Sequence, residues 1–377
     1  MPPCPFDLVR DTPFGSYTAS ATKLTGGMIN YVWRLTNALG DTIIVKYAED
    51  SIAVNPEIKF SAERMDFEVR GLSLFNPPAS DALLAISELG KPLALTPLVR
   101  IPKLLYYDRS IPFLVLEDIG IHKGFEDWFT AEDSGAEDLD YVCAKVGEWL
   151  AHLHGFGYNN LGNLEEHFVN KPARELLSGL MYDMTAKDIE RHTEFEDKKE
   201  LADRIMQMKA ELRQAKFGDS RTLLFGDMWP GSVLFDVERR VVNLLDFEFM
   251  DVGLVYGDIG HFVAHLLPLH FLRNKSYDPN TDPCPHSVVA FLSSYKKTME
   301  SYPDAYRAVT KDAVRHSTMF MGIEIARDVL TGNWCRCSEK AEPKKEEPLT
   351  CECAEILLKL ARKYIYNPSD SLFNILN

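Results

Sequence analysis

Basic residues are in short supply: 41 Lys and Arg stand against 56 Asp and Glu, a formal net charge of −15. That deficit argues against nucleic acid as a partner, because phosphates would be repelled unless a basic face hid inside the average. Long apolar runs are also missing. None reaches the ~18 residues that a membrane-crossing helix needs, so no membrane span is expected. The opening MPPCPFDLVRDTPF has neither a basic start nor an apolar middle, and no secretory signal is read there. Cysteine is sparse and odd in number, 7 in 377 residues, as in a reducing compartment. A cytoplasmic protein is the expectation. What is present suffices for a sizeable core, since 46% of residues are hydrophobic, and the length suggests about two domains.

Chemistry concentrates between Thr222 and Gly260, TLLFGDMWPGSVLFDVERRVVNLLDFEFMDVGLVYGDIG. Leu223–Phe225 and Val241–Leu245 are short apolar runs, and each delivers an acid at its end: Asp227 after Gly226, then Asp246 with Glu248 two positions on. Val233–Phe235 and the charged turn Asp236–Arg240 lie between them. The rhythm reads as a loop leaving one strand, a hairpin, and a second loop. Carboxylates on loops held by an apolar scaffold are where catalytic groups often sit. Phosphoryl transfer needs one carboxylate to orient or deprotonate an acceptor hydroxyl, and others to hold Mg²⁺ against a triphosphate. Asp227 suits the first role, Asp246 and Glu248 the second, and Ser232 offers an oxygen one loop turn beyond the base. Singly, each acid is as readily a solvated loop residue. The ordered set points to a site.

GDMWPGSVLF followed by LLDFEF and YGDIG resembles the aminoglycoside-phosphotransferase and choline-kinase-like family of the protein-kinase-like fold. In motif detail it is most similar to the methylthioribose kinases, with Gly-Asp, then Gly-Ser in place of Gly-Asn, then Asp-x-Glu, then Asp-Ile-Gly. The resemblance implies an α+β, two-lobed architecture: a small β-rich nucleotide-binding lobe over residues 1–116 and a larger, mainly helical lobe over 117–377. It implies ATP and Mg²⁺ as cofactors and a small-molecule hydroxyl as acceptor. By the same likeness Asp227 is the catalytic base, Asp246 and Glu248 bind metal, and Asp258 braces the catalytic loop. Two departures stand out. Phe225 replaces the usual His, and Ser232 is a poorer metal ligand than an Asn carbonyl. Both motivate an alternative: a catalytically silent relative that binds ligands or serves as a scaffold. The chain also lacks the Arg before the base, the Asp-Phe-Gly and the Ala-Pro-Glu of protein kinases, which favours small-molecule acceptors.

In the first lobe, Gly26 and Gly27 lie between alternating runs, where glycine lets backbone amides approach phosphates; a plain hairpin turn is the simpler reading. Lys46, in the strand Thr42–Lys46, looks buried. A buried Lys is costly without an anionic partner. As a snorkelling edge residue it would need none; as the third-strand lysine of kinases it would contact the α/β-phosphates and pair with a helix Glu. Helix Ser61–Phe75 supplies Glu68, with Glu63 in reserve. The segment Asp50–Lys59 is longer than ordinary kinases need, and methylthioribose kinases have a similar insertion. Paired strands Ile101–Asp108 and Ile111–Leu116 lead into Glu117-Asp118-Ile119-Gly120, where Glu117 and Ile119 would present backbone groups to an adenine.

In the second lobe, Leu139–Gly157 is an amphipathic helix that Gly155 and Gly157 should stop. His152 and His154 face different sides of it, so they are not read as a metal pair. Glu194–Lys216 is a surface helix, Asp258–His270 a buried one, and Ser287–Ser301 and Pro303–Leu330 are helical again. Trp229, Asp251 and Arg327 are candidate acceptor contacts. Cys335, Cys337, Cys351 and Cys353 have zinc-ligand spacing, but their Lys/Glu/Pro-rich setting reads as a mobile linker.

Overall fold

The computed structural model describes residues 2–25, 27–76, 96–131, 134–214, 220–274, 284–331, 352–368 and 372–376. Helix α1 (Pro5–Val9) precedes strands β1 (Ser20–Lys23), β2 (Tyr31–Thr36) and β3 (Thr42–Tyr47), then helix α2 (Arg64–Phe75). Strands β4 (Val99–Arg100), β5 (Leu104–Asp108), β6 (Phe113–Glu117) and β7 (Lys123–Gly124) follow, with α3 (Phe125–Phe129). A helical stretch comes next: α4 (Ala136–Asn159), α5 (Leu161–Phe168), α6 (Lys171–Ser178), a π-helical turn at Gly179–Met184, α7 (Thr185–His192) and α8 (Lys198–Gln214). The chain then makes β8 (Thr222–Leu224), β9 (Val233–Asp236), β10 (Val241–Leu244) and β11 (Asp251–Gly253). It ends in α9 (Tyr256–Arg273), α10 (His286–Met299), α11 (Pro303–Leu330) and α12 (Glu352–Tyr366). The class is α+β, with strands dominant early and helices late.

The first sheet has the order β1-β2-β3-β6-β5 and is antiparallel throughout. Both faces of its centre are covered, and strand alternation sorts the residues between them. Trp33, Leu35, Ile43, Val45, Phe113 and Val115 pack with Leu8 and Val9 of α1. Leu114 and Leu116 join Met65, Val69 and Leu72 of α2 in the main core. Lys46 pairs in register with Leu114, so it points to the α2 side. The second sheet, β4-β10-β9-β7, draws on both sides of residue 117, because β4 pairs in parallel with β10. A two-stranded ribbon joins β8 to β11.

Several expectations need correction. Gly155 and Gly157 do not stop α4, which runs on to Asn159. They are glycine because neighbours sit where a side chain would go: an added Cβ would lie 2.3 Å from the Tyr302 ring at Gly155 and 2.3 Å from Leu223 N at Gly157. Helices α5 to α7 and α12 were not anticipated. The helix expected over 61–75 starts at Arg64. The zinc reading of Cys335, Cys337, Cys351 and Cys353 falls outside the described residues and side chains. Among described residues, no helix is long and apolar enough to cross a membrane.

Candidate active site

Two segments distant in sequence converge on Lys46 of β3. Its Nζ lies 2.8 Å from Glu68 Oε2 on α2, 2.9 Å from Asp246 Oδ1 and 2.7 Å from Glu248 Oε2. Lys46, Glu68 and Glu248 are buried, while Glu63 is exposed and plays no part. Burial alone would lower the Lys46 ammonium; the charges of Asp246, Glu248 and Glu68 outweigh it and hold its pKa well above the usual value. Burial pushes the Glu68 carboxyl up, and the charges of Glu248 and Asp246 add to that against the pull of Lys46. Three acids around one ammonium leave an excess of negative charge.

The two acids of the Asp-x-Glu motif differ in access. Glu248 is held on both oxygens, by Lys46 and by Asn30 Nδ2 at 2.7 Å. The Asp246 side chain retains 42% exposure, and its backbone is left-handed (φ 66°), a conformation that is uncommon for residues other than glycine. Behind Asn30 stands Arg64, fully buried, whose Nε donates to Asn30 Oδ1 at 2.9 Å. Its Nη1 donates to the carbonyls of Glu49 at 2.8 Å and Phe60 at 2.6 Å. Arg64 thus hangs the inserted segment 49–61 on the first turn of α2 and supports the Asp-x-Glu motif through Asn30. Neither residue was singled out from the sequence.

The loop after β8 is fixed by backbone hydrogen bonds to one carboxylate. Phe225 N and Gly226 N each donate to Asp258, at 2.8 Å. His154 Nε2 lies 3.0 Å from the same carboxylate, and its Nδ1 is 2.8 Å from the Tyr295 hydroxyl. Gly226 has φ +90°, and a Cβ there would come within 2.0 Å of Phe249 O, so only glycine fits. Phe225 fills an aromatic slot between Trp149 and Phe247, with ring centroids 5.8 and 5.1 Å away. An imidazole is not needed there. Ser232 is buried and donates from Oγ to Asp227 O at 3.3 Å. Burial, then the charge of Glu248, raises the Asp227 carboxyl to about 7.

A second polar cluster faces Asp227 from α9 and α11. His261 Nδ1 lies 3.8 Å from Asp227 Oδ1, and its Nε2 lies 3.8 Å from Glu324 Oε1. His265 Nε2 is 3.5 Å from Glu324 Oε1, and its Nδ1 is 3.5 Å from Asp328 Oδ2. Arg327 pairs with Glu324 through Nε at 3.1 Å and with Asp328 at 2.9 Å. Burial lowers the His261 imidazole to about 4. Burial works the same way on His265, but Asp328 and Glu324 outweigh it and leave its pKa raised. Trp229 packs against His265 with the rings tilted by 49° and their centroids 5.4 Å apart. The readable signal was His261 and His265 four apart in the helix expected over 258–270.

The remaining expected residues divide. Trp229 and Arg327 join the second cluster. Asp251 is a correction to the acceptor set: its oxygens take Arg174 Nε and Nη2, both at 2.7 Å, and Asn170 N at 2.9 Å. That carboxylate ties α6 to β11. Gly27 is sterically open, with nothing nearer than 3.8 Å to an added Cβ, and Gly26 lies outside the described residues. Glu117 sits at the end of β6, its carboxylate 2.7 Å from Arg100 Nη2. Ile119 O accepts from His122 Nε2 at 2.7 Å, and Arg34 pairs with Asp118. These bonds shape the turn through Gly120 (φ +100°).

Two donor sets among the described residues bring their ligand atoms within 4.8 Å of one another: Glu68, Asp246 and Glu248, and His261, His265 and Glu324. The first is all oxygen and carries surplus negative charge, as a hard divalent cation requires, and Asp246 is its accessible member.

A sequence profile described as the phosphotransferase enzyme family matches residues 20–274. Over 311 residues the chain is 26% identical to 4-hydroxytryptamine kinase of Psilocybe cyanescens, covering 79% of each chain. It is 28% identical over 252 residues to methylthioribose kinase of Geobacillus thermodenitrificans, covering 60% of this chain and 61% of that one. In fold it is similar to amicoumacin kinase hAmiN, solved with AMP-PNP, Ca²⁺ and Ami. That likeness has a TM-score of 0.51 at 14% identity and covers 95% of this chain and 92% of the other.

Proposed function

The chain belongs to the phosphotransferase enzyme family, and from that premise we propose that it is an ATP- and Mg²⁺-dependent kinase for a hydroxyl of a small molecule. The observation that carries this reading is the meeting of Lys46 with Glu68, Asp246 and Glu248, drawn from β3, α2 and the loop after β10. Lys46, oriented by Glu68, binds the α/β-phosphates. Asp246 and Glu248, with Ser232 as a further oxygen donor, would hold Mg²⁺, which would supply positive charge to offset that of the transferring phosphoryl group. The sterically open backbone at Gly27 covers the phosphates, and the backbone at Glu117 and Ile119 borders the adenine. Asp227 accepts the acceptor's hydroxyl proton as its oxygen bonds to the γ-phosphorus and the bond to the β-phosphate oxygen breaks. A carboxyl near pKa 7 is close to the working pH, where a general base is most effective.

Trp229 and Arg327 wall the acceptor side, and Asp251 is left out of that set. The relatives are named for two hydroxylated acceptors, 4-hydroxytryptamine and methylthioribose. Trp229 beside a cluster rich in carboxylates favours the hydroxylated aromatic amine, whose ammonium group such acids attract.

An ATP-consumption screen across hydroxytryptamines, thioribose sugars, amino alcohols and aminoglycosides tests the proposal. On the best acceptor, Asp227→Ala should lower kcat by about 10²–10⁴-fold with nucleotide affinity nearly intact. Asp246→Ala should instead weaken Mg·ATP binding. If neither substitution changed activity, the assignment of both residues would be wrong.

A further inference from the structure

We propose that His261, His265 and Glu324 form a second metal site, for a divalent transition ion of the zinc type, on the acceptor side of Asp227. The two imidazoles sit four residues apart on α9 and meet Glu324 from α11, and the three residues are between 0% and 6% exposed. Their Nε2 atoms stand 3.8 Å (His261) and 3.5 Å (His265) from Glu324 Oε1, which also accepts from Arg327. Separations of that size suit donors sharing an ion, since zinc bonds of ~2.0–2.1 Å place tetrahedral ligands roughly 3.4 Å apart. The other nitrogens face carboxylates, Asp328 at 3.5 Å for His265 and Asp227 at 3.8 Å for His261. Carboxylates in that outer position orient metal-binding imidazoles. Glu324 Oε2 is buried without a hydrogen-bond partner, a state that calls for a missing ligand.

Charge agrees with geometry. Glu324 and Asp328, joined by Asp227 when it is ionised, face the guanidinium of Arg327, and a divalent ion would offset the excess acid. Two nitrogens and one carboxylate favour zinc-type ions over Mg²⁺. Three protein donors also leave a coordination position open beside Asp227, where an acceptor hydroxyl could be fixed. The site stands on its own residues, so it can fail while the kinase reading survives.

The test uses the untagged full chain with Cys335, Cys337, Cys351 and Cys353 changed to Ser, which removes thiolate sites. After dialysis against zinc in excess Mg²⁺, it should retain about one equivalent of zinc per chain. His261→Gln and His265→Gln should each weaken that binding by about tenfold or more, with Mg·ATP thermal stabilisation retained as evidence of folding. Cobalt loading should give the visible absorption of a tetrahedral nitrogen–oxygen site. Zinc retained equally by the glutamine variants, or lost with the four cysteines, overturns the proposal. If the glutamine variants do not fold, the cobalt spectrum of the four-serine chain decides: a tetrahedral nitrogen–oxygen band supports the site, and a featureless or thiolate-type spectrum overturns it.

Discussion

A carboxyl held near pKa 7 is about half ionised at neutral pH, so the proposal that Asp227 is the base carries a definite pH dependence. Burial raises it from 3.8 to about 7, with the charge of Glu248 as the next cause. Only the carboxylate accepts a proton, so kcat/KM should fall about tenfold per pH unit below roughly 7 and level off above it. Glu248→Gln removes a like charge and should move that limb to lower pH. A profile flat from pH 5.5 to 8 would sink the assignment of the base. The sign for stability is the reverse of the usual acid: because the folded pKa is raised, Asp227 opposes folding increasingly as pH rises from 3.8 towards 7. Asp227, Asp246, Glu248 and Lys46 were legible because each ends or interrupts an apolar strand, which a string of letters shows directly. Asn30, Arg64 and Glu324 were not. Their partners are remote in sequence: Asn30 donates to Glu248, and Glu324 meets α9 from α11.

Elements carry constraints that single residues do not reveal. Glycines near the end of a periodic run signal a stop, and Gly155 and Gly157 invited that reading. In the fold, α4 passes so close to β8 that Gly157 has no room for a side chain, and β8 leads into the loop bearing Asp227. Gly157→Ala places a Cβ 2.3 Å from Leu223 N, against backbone that cannot rotate away. It should cost about 1–3 kcal/mol in chemical denaturation, the usual range for overpacking, and should lower kcat by shifting β8. Gly162→Ala in α5 is the control: nothing lies within 4 Å of its Cβ, and helix propensity should make it neutral or stabilising by up to about 1 kcal/mol. Equal effects from the two would show that packing against β8 is not the cause. The hairpin β9–β10 and the long helices α9 to α11 were readable from periodicity and turn residues. Helices α5 to α7 were not: each is eight residues long, and a π-helical turn splits α6 from α7, which breaks the 3.6-residue rhythm. The two-residue strands β4 and β7 are too short to alternate.

For the whole molecule, the excess negative charge around Lys46 makes a prediction that separates a structural lysine from a nucleotide-binding one. A ligand that binds only the folded chain stabilises it by about 2.7 kcal/mol at a hundredfold excess over Kd. Mg·ATP should therefore raise Tm in the native chain, and ATP with chelator should raise it less, because the acids at 246 and 248 would meet the triphosphate without an intervening cation. Lys46→Met strips the ammonium from three carboxylates that it contacts within 2.9 Å. Breaking such a buried set costs about 3–5 kcal/mol, so the variant should melt earlier and show no Mg·ATP shift. Mg²⁺ alone should restore part of its stability by neutralising the orphaned acids, and that partial rescue would itself identify them as metal-binding. A native chain unmoved by Mg·ATP well above any plausible Kd would return the molecule to the silent, ligand-binding alternative. The phosphate-facing cluster would then be a structural ion network, and Lys46→Met would lose stability but no function.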